Sequence, residues 1–280
     1  SVVPWWASWV RPCGVFGCSG FSVTSVSAYV LWRDTDPAIG IGTRLGVPYL
    51  RWPYRPSGLT LARIDIDPRE MERLPPDVAL VSDSKLGTSA LLSQLRGQNL
   101  NAVSRVAALQ EARKNVKPRI AAVRPHAEYL EKIRTILPRD GLFVEELCQA
   151  GYVSYYGFPV YAPRTYISCG YQGTLGFGFM AALGAKIANP DKAVVSITGD
   201  GGFMFGVQEL ATAIQYGIAV VTIVFDNSGF GNVRRDQQQR FGGRVIASEL
   251  RNPDFVRLAE SFGALGIRAQ SPAELASALD

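Results

Sequence analysis

Residues 193–231 read AVVSITGDGGFMFGVQELATAIQYGIAVVTIVFDNSGFG, and their pattern decides the fold. Ala193 to Ile197 is a short apolar run rich in β-branched residues that stops at Gly199-Asp200-Gly201-Gly202, where glycines let the backbone turn tightly and approach a ligand. Val207, Leu210, Ala211 and Ile214 recur at i, i+3, i+4 and i+7, which predicts one apolar helical face ending at Gly217, a residue suited to the C′ position. Ile218 to Phe225 is almost wholly hydrophobic, as expected of a parallel strand covered on both faces, and ends at Asp226-Asn227-Ser228-Gly229. The stretch is therefore a βαβ unit. In open α/β sheets ligands sit outside the carboxyl ends of the strands, where both polar loops fall.

Those loops carry one carboxylate, Asp200, and one carboxamide, Asn227, among glycines that expose backbone groups. These are hard oxygen donors of the kind Mg²⁺ takes, one or two from protein and the rest from phosphate and water. Gly199-Asp200-Gly201, then Asn227 after 26 intervening residues, resembles the diphosphate-binding motif of thiamine diphosphate-dependent enzymes. The text GYQGTLGFGFMAALGAKIANP followed by GDGGFMFGVQELATAIQYG is similar to the group of acetolactate synthase, pyruvate oxidase and benzoylformate decarboxylase, acetolactate synthase most of all. The resemblance implies that Asp200, the Asn227 side chain and the Gly229 carbonyl hold Mg²⁺, and that Gly201 and Gly202, beyond Gly199, turn N–H groups toward the diphosphate. It also implies that the Gly173 carbonyl meets the cofactor's exocyclic amine, that Leu175 bends the cofactor, and, on a looser alignment, that Gln149 touches the diphosphate. Val233 to Phe241 takes the place of a mobile loop over the substrate. The implied chemistry is cofactor-borne decarboxylation or carboligation of a 2-oxo acid. Two residues depart from the group: Asp226 where Asn is frequent and Met180 where Pro is common.

A competing reading takes Gly170, Gly173, Gly176 and Gly178 as a dinucleotide fingerprint, but the spacing is not Gly-x-Gly-x-x-Gly and no acidic residue is placed for a ribose. Composition narrows the classes further. A net charge of +5 comes without any block of five or six like charges, which argues for a solvated surface and against nucleic-acid binding. No uncharged 18-residue apolar span marks the well-patterned part of the chain, so no membrane span is expected and the cytoplasm is the default location. Cys13, Cys18, Cys148 and Cys169 are too few and scattered for a disulfide framework or a paired zinc site. The single histidine, His126, reads as a surface residue in a helix, which removes Ser-His-Asp, Cys-His and multi-histidine metal chemistry. A cofactor must then supply the reactivity, and no catalytic side chain is assigned within the chain.

The predicted organisation has four parts. Residues 1–35 are atypical: the first 33 hold four of the five tryptophans and no Asp, Glu or Lys, and do not resemble the family. We read them as divergent or as the product of a shifted reading frame. Residues 36–97 form three strand-and-turn units that resemble part of the group's Rossmann-like central domain. Some members bind FAD there, but three strands without the first half of that domain argue against FAD here. Residues 98–137 are a helical linker broken by Pro118 and Pro125, with Leu130, Ile133 and Leu137 on one buried face. Residues 138–280 form a doubly wound α/β domain with a parallel sheet, including a helix capped by Asn252 with Pro253 at N1 and ended at Gly263. In the family a glutamate of a separate pyrimidine-binding domain, usually from the partner subunit, activates the cofactor. The chain is therefore expected to be nearly inactive alone and to work as a homodimer or with a subunit carrying that domain. The alternatives are a subunit of a split thiamine diphosphate enzyme and a nucleotide-binding oxidoreductase.

Overall fold

The computed structural model describes residues 37–45, 55–98, 106–170 and 172–280. The atypical opening segment, with Cys13 and Cys18, lies outside them. The chain divides into two compact units, residues 1–120 and 121–280, and both carry mixed α/β structure with all-parallel sheets.

The first unit contains strands β1 (Ala38–Ile41), β2 (Leu61–Asp65) and β3 (Val78–Val81), paired in that order, with helices α1 (Pro68–Arg73) and α2 (Ser84–Leu95). Asp67 and Asp83 cap the two helices through side-chain oxygens that accept from backbone N–H groups of the first turn. Helix α3 (Val106–Ala121) runs on past Pro118, which sits in its last turn and does not break it as its residue type predicts.

The second unit holds the site. Helix α4 (His126–Ile136) buries Leu130 and Ile133, with Leu137 just beyond it, and packs on α5 (Gln149–Gly157) and on the last helix, α11 (Pro272–Leu279). The stretch expected as linker thus contributes to this unit's core. Four strands follow the order β5 (Tyr166–Ser168), β4 (Leu142–Glu145), β6 (Val194–Gly199) and β7 (Val221–Phe225). Alternate residues of β4 reach opposite faces of the sheet. Phe143 stacks on Phe158 at the end of α5, while Val144 packs with Leu142, Val194 and Ala182 of α6 (Phe177–Ala188). Helices therefore cover both faces, as the doubly wound reading requires.

Two details correct the sequence reading. The helix after the glycine turn, α8 (Glu209–Gln215), buries Leu210 and Ala213 with Val207 beside them and leaves Ala211 and Ile214 exposed. It follows a short separate helix, α7 (Asp200–Phe203), so a continuous period through Val207 does not hold. Strand β7 pairs only with β6 and is half-buried, with Val221 exposed, because an edge strand lacks the two-sided cover its hydrophobicity predicts. The stop at Gly217 is as read: its φ is 60°, and Ile218 N–H bonds to the Ala213 carbonyl at 2.8 Å.

Candidate functional site

Strand β6 ends at Gly199, and Asp200 opens α7 directly above the sheet. Asp200 is 2% exposed. Its Oδ2 accepts from the backbone N–H of Gly229 at 3.0 Å and from Asn252 Nδ2 at 2.7 Å. Oδ1 accepts no hydrogen bond from the described residues. One oxygen is thus held by two donors and the other by none of the described residues.

The neighbouring loop, after β7, turns through Asp226 to Gly229. Asp226 Oδ1 accepts from Ser228 N–H at 2.9 Å and from Asn252 Nδ2 at 2.8 Å, and Ser228 itself has a positive φ of 55°. Asn227 is exposed, and its side chain makes no hydrogen bond to the described residues. Gly229 is constrained on its far side, because a Cβ there would stand 2.7 Å from the Ser248 carbonyl oxygen. Its own carbonyl accepts from Gly231 N–H at 3.0 Å, leaving one lone pair. Asp200 Oδ1, the Asn227 amide oxygen and the Gly229 carbonyl are hard oxygen donors, the ligand type that Mg²⁺ takes. Among the described residues no three His, Cys, Asp or Glu side chains gather as a metal cage.

The glycines divide by what they touch. Gly201 has no room for a side chain because Phe230 lies against it, and Gly202 faces the Glu146 carboxylate. Gly173 has φ 63°, with Leu147 Cδ1 2.6 Å from where its Cβ would be, and Leu175 beside it is partly buried. Gln149, the first residue of α5, donates from Nε2 to Asn232 Oδ1 at 3.2 Å, on the side of Gly231 where Asn227 also lies. Val233 to Phe241, read as a loop, instead belongs largely to helix α9 (Gly231–Arg240), which has no buried residue. Arg and Gln favour helix even without an apolar face. On the outer flank, a cleft of about 280 Å³ is lined by Gly201, Phe230, Leu250 and Asn252 among others.

Two residues that organise these loops escaped the sequence reading. Glu146, wholly buried after β4, accepts from Gly176 N–H at 2.9 Å and Gly178 N–H at 2.7 Å, tying the glycine-rich turn before α6 to the sheet. Burial pushes its carboxyl above the ordinary range, against the pull of those two donors and Thr198. A carboxylate already occupies the start of α6, where a dinucleotide pyrophosphate would have to bind. The second is Asn252, read as a helix cap. Helix α10 (Phe255–Ser261) starts later and is capped by Asp254, whose Oδ1 accepts from Val256 N–H at 3.0 Å and Arg257 N–H at 3.3 Å. Asn252 is thereby free to reach Asp200.

Burial pushes the Cys148 thiol up to about 12 and that of Cys169 up to about 11, which keeps both protonated. His126 opens α4, half-buried, with its basicity lowered by burial.

Residues 148–280 match the family described as thiamine pyrophosphate enzyme, C-terminal TPP binding domain. The chain belongs to the thiamine pyrophosphate-dependent enzymes, in the group of acetolactate synthase, pyruvate oxidase and benzoylformate decarboxylase. It is 31% identical over 277 residues to the acetolactate synthase large subunit of Haemophilus influenzae, covering 95% of this chain and 48% of that one. With the acetolactate synthase isozyme 3 large subunit of Escherichia coli it shares 32% identity over 239 residues, 79% of this chain and 40% of the relative. The fold is that of the thiamine diphosphate-dependent 4-hydroxybenzoylformate decarboxylase of Rhodococcus jostii RHA1, with a TM-score of 0.67 over 87% of this chain and 46% of that one, at 24% identity. The chain spans about half the length of the curated relatives it matches. No described helix is long and apolar enough to cross a membrane.

Proposed function

We propose that the second unit binds thiamine diphosphate through Mg²⁺ and forms the diphosphate half of the active site of a 2-oxo acid decarboxylase or carboligase resembling acetolactate synthase. The observation that supports this most is Asp200: a buried carboxylate at the end of β6 with Oδ2 fixed by two donors and Oδ1 open, beside the Asn227 to Gly229 loop. Asp200, Asn227 and the Gly229 carbonyl hold the cation, and Gly199, Gly201 and Gly202 keep the turn narrow enough for a diphosphate to approach. Gln149 steadies the loop through Asn232. Gly173 and Leu175 orient the cofactor's rings. When bound, the cofactor supplies the nucleophilic carbon and the electron sink that a 2-oxo acid needs to lose CO₂.

The glutamate that activates the cofactor belongs, in this reading, to a pyrimidine-binding domain outside the described residues, in a homodimer or a partner subunit. The 280 residues by themselves are then catalytically silent. Residues 36–97 act as part of a central domain, 98–137 as the connection and 138–280 as the cofactor-binding domain. Four cysteines without a framework suit a reducing compartment, the cytoplasm. The test is calorimetric titration of thiamine diphosphate into the chain with Mg²⁺ and with chelator, beside NAD as a competing ligand. Binding of thiamine diphosphate only with Mg²⁺ is the expected result. NAD binding without Mg²⁺-dependent thiamine diphosphate binding would overturn the reading.

A further inference from the structure

Asn252 stands between two carboxylates, and its chemistry there is fixed. Nδ2 lies 2.7 Å from Asp200 Oδ2 and 2.8 Å from Asp226 Oδ1. Both neighbours accept only, so the amide must present its nitrogen, and both its hydrogens are used. The backbone delivers it there. Phe230 N–H bonds to the Ser248 carbonyl and Leu250 N–H to the Ser228 carbonyl, each at 2.9 Å, and Gly229 and Glu249 form an antiparallel bridge. These contacts stitch residues 248–250 onto the loop after β7. Two residues later Asn252 reaches over the ends of β6 and β7 at once, and Asp254 relieves it of capping α10.

We propose that Asn252 is the positioning residue of the cation site: its amide pins Asp200 Oδ2 so that Oδ1 faces the cation, and shares its other hydrogen with Asp226 so that two neighbouring carboxylates can coexist. The inference rests on the reading of Asp200 as a cation ligand. Without the amide, Asp200 keeps only the Gly229 N–H donor and gains a rotation, and Asp226 keeps only Ser228. Partners of metal ligands typically set metal affinity by about 10- to 100-fold. The diphosphate, held by the cation and the backbone, depends on Asn252 only through the cation.

The test uses Mn²⁺ as the probe, titrated into the full chain in saturating thiamine diphosphate, with the electron paramagnetic resonance spectrum of the bound ion recorded. The variants are Asn252→Leu, which keeps the volume without donors, and Asn252→Ala. The expected result is a loss of Mn²⁺ affinity of about tenfold or more in both, with an altered spectrum. Thiamine diphosphate affinity at saturating Mn²⁺ stays within about threefold of wild type, and the metal-free melting temperature moves little. Unchanged Mn²⁺ affinity and spectrum in variants of a binding wild type overturns the inference alone. An equal loss of both affinities, or loss of the fold in both variants, overturns it too, by making Asn252 merely structural. A wild type that binds Mn²⁺ no better than Asp200→Ala sinks the underlying reading and the inference with it.

Discussion

Two acidic pairs stand at the carboxyl edge of the same four-stranded sheet and have opposite fates. At the end of β4, its last residue Glu145 and the following Glu146 are both wholly buried. Glu146 spends its two oxygens on Gly176 and Gly178. Neither Glu145 oxygen makes a well-formed hydrogen bond, although the Tyr155 hydroxyl lies close enough to bias its titration, and burial pushes its carboxyl up to about 8. After β6 and β7, Asp200 and Asp226 share the N–H donors of Asn252, Gly229 and Ser228, and Asp200 keeps an oxygen open. The difference teaches that acidic density does not make a cation site. In the proposed reading, donors that hold one oxygen of a carboxylate and leave the other without a partner prepare it for a cation, whereas a carboxylate sealed among backbone N–H groups is mortar.

Four substitutions sharpen or break that contrast. The largest effect is expected from Gly202→Ala, whose methyl would land on Glu146 Oε1 and force it off the α6 turn. Urea unfolding should show a loss of about 3 to 4 kcal/mol or failure to fold. Near-wild-type stability would mean that the β4 pair is not structural. Glu146→Gln, which keeps the shape but offers one of the two N–H groups a donor instead of an acceptor, should cost about 2 to 3 kcal/mol. It should also loosen the turn before α6 in hydrogen exchange.

Glu145 gives a pH signature. It binds its proton more tightly folded than unfolded, so its contribution makes stability fall as pH rises from 4.5 toward about 8, and the fall is complete above that. Glu145→Gln removes the titration. The variant should match wild type near pH 4.5 and become progressively more stable than wild type as pH rises toward 9, in urea unfolding at each pH. A pH-independent difference would show that Glu145 is not the titrating group. The smallest effect is expected from Asp226→Asn: its side-chain oxygen can still accept from Asn252 and Ser228, so thiamine diphosphate affinity in Mg²⁺ should change less than about threefold, because Asp226 is not a ligand. A tenfold change would promote it to the cation shell.

Much of this was legible in the chain before any coordinates. The β6 and β7 strands, the glycine turn and the Gly217 stop follow from periodicity and turn chemistry, which are local, and the three strands of the first unit were read as strand-and-turn units that resemble the family's central domain. Asp200 stood out because its Gly-Asp-Gly turn is followed across a βαβ unit by Asn227, at the spacing of the diphosphate-binding motif it resembles. Asn252 did not, because Asn-Pro-Asp offers two capping residues, one on either side of Pro253. The choice between them was made by the pairing of residues 248–250 with 228–230, which no window around Asn252 contains. Glu146 was hidden in the same way: the N–H groups it serves lie 30 and 32 residues downstream. Helix α9 was missed because it has no buried face to produce a period.

The central claim is that the open oxygen of Asp200, not the denser acidic pair after β4, receives the cation. Crystals of the chain grown with thiamine diphosphate and Mn²⁺ would decide it by anomalous scattering at the manganese edge. The account predicts one strong peak bounded by Asp200, Asn227 and the Gly229 carbonyl, which disappears in Asp200→Ala. A peak at Glu145 and Glu146, or an undiminished one in the variant, would contradict it.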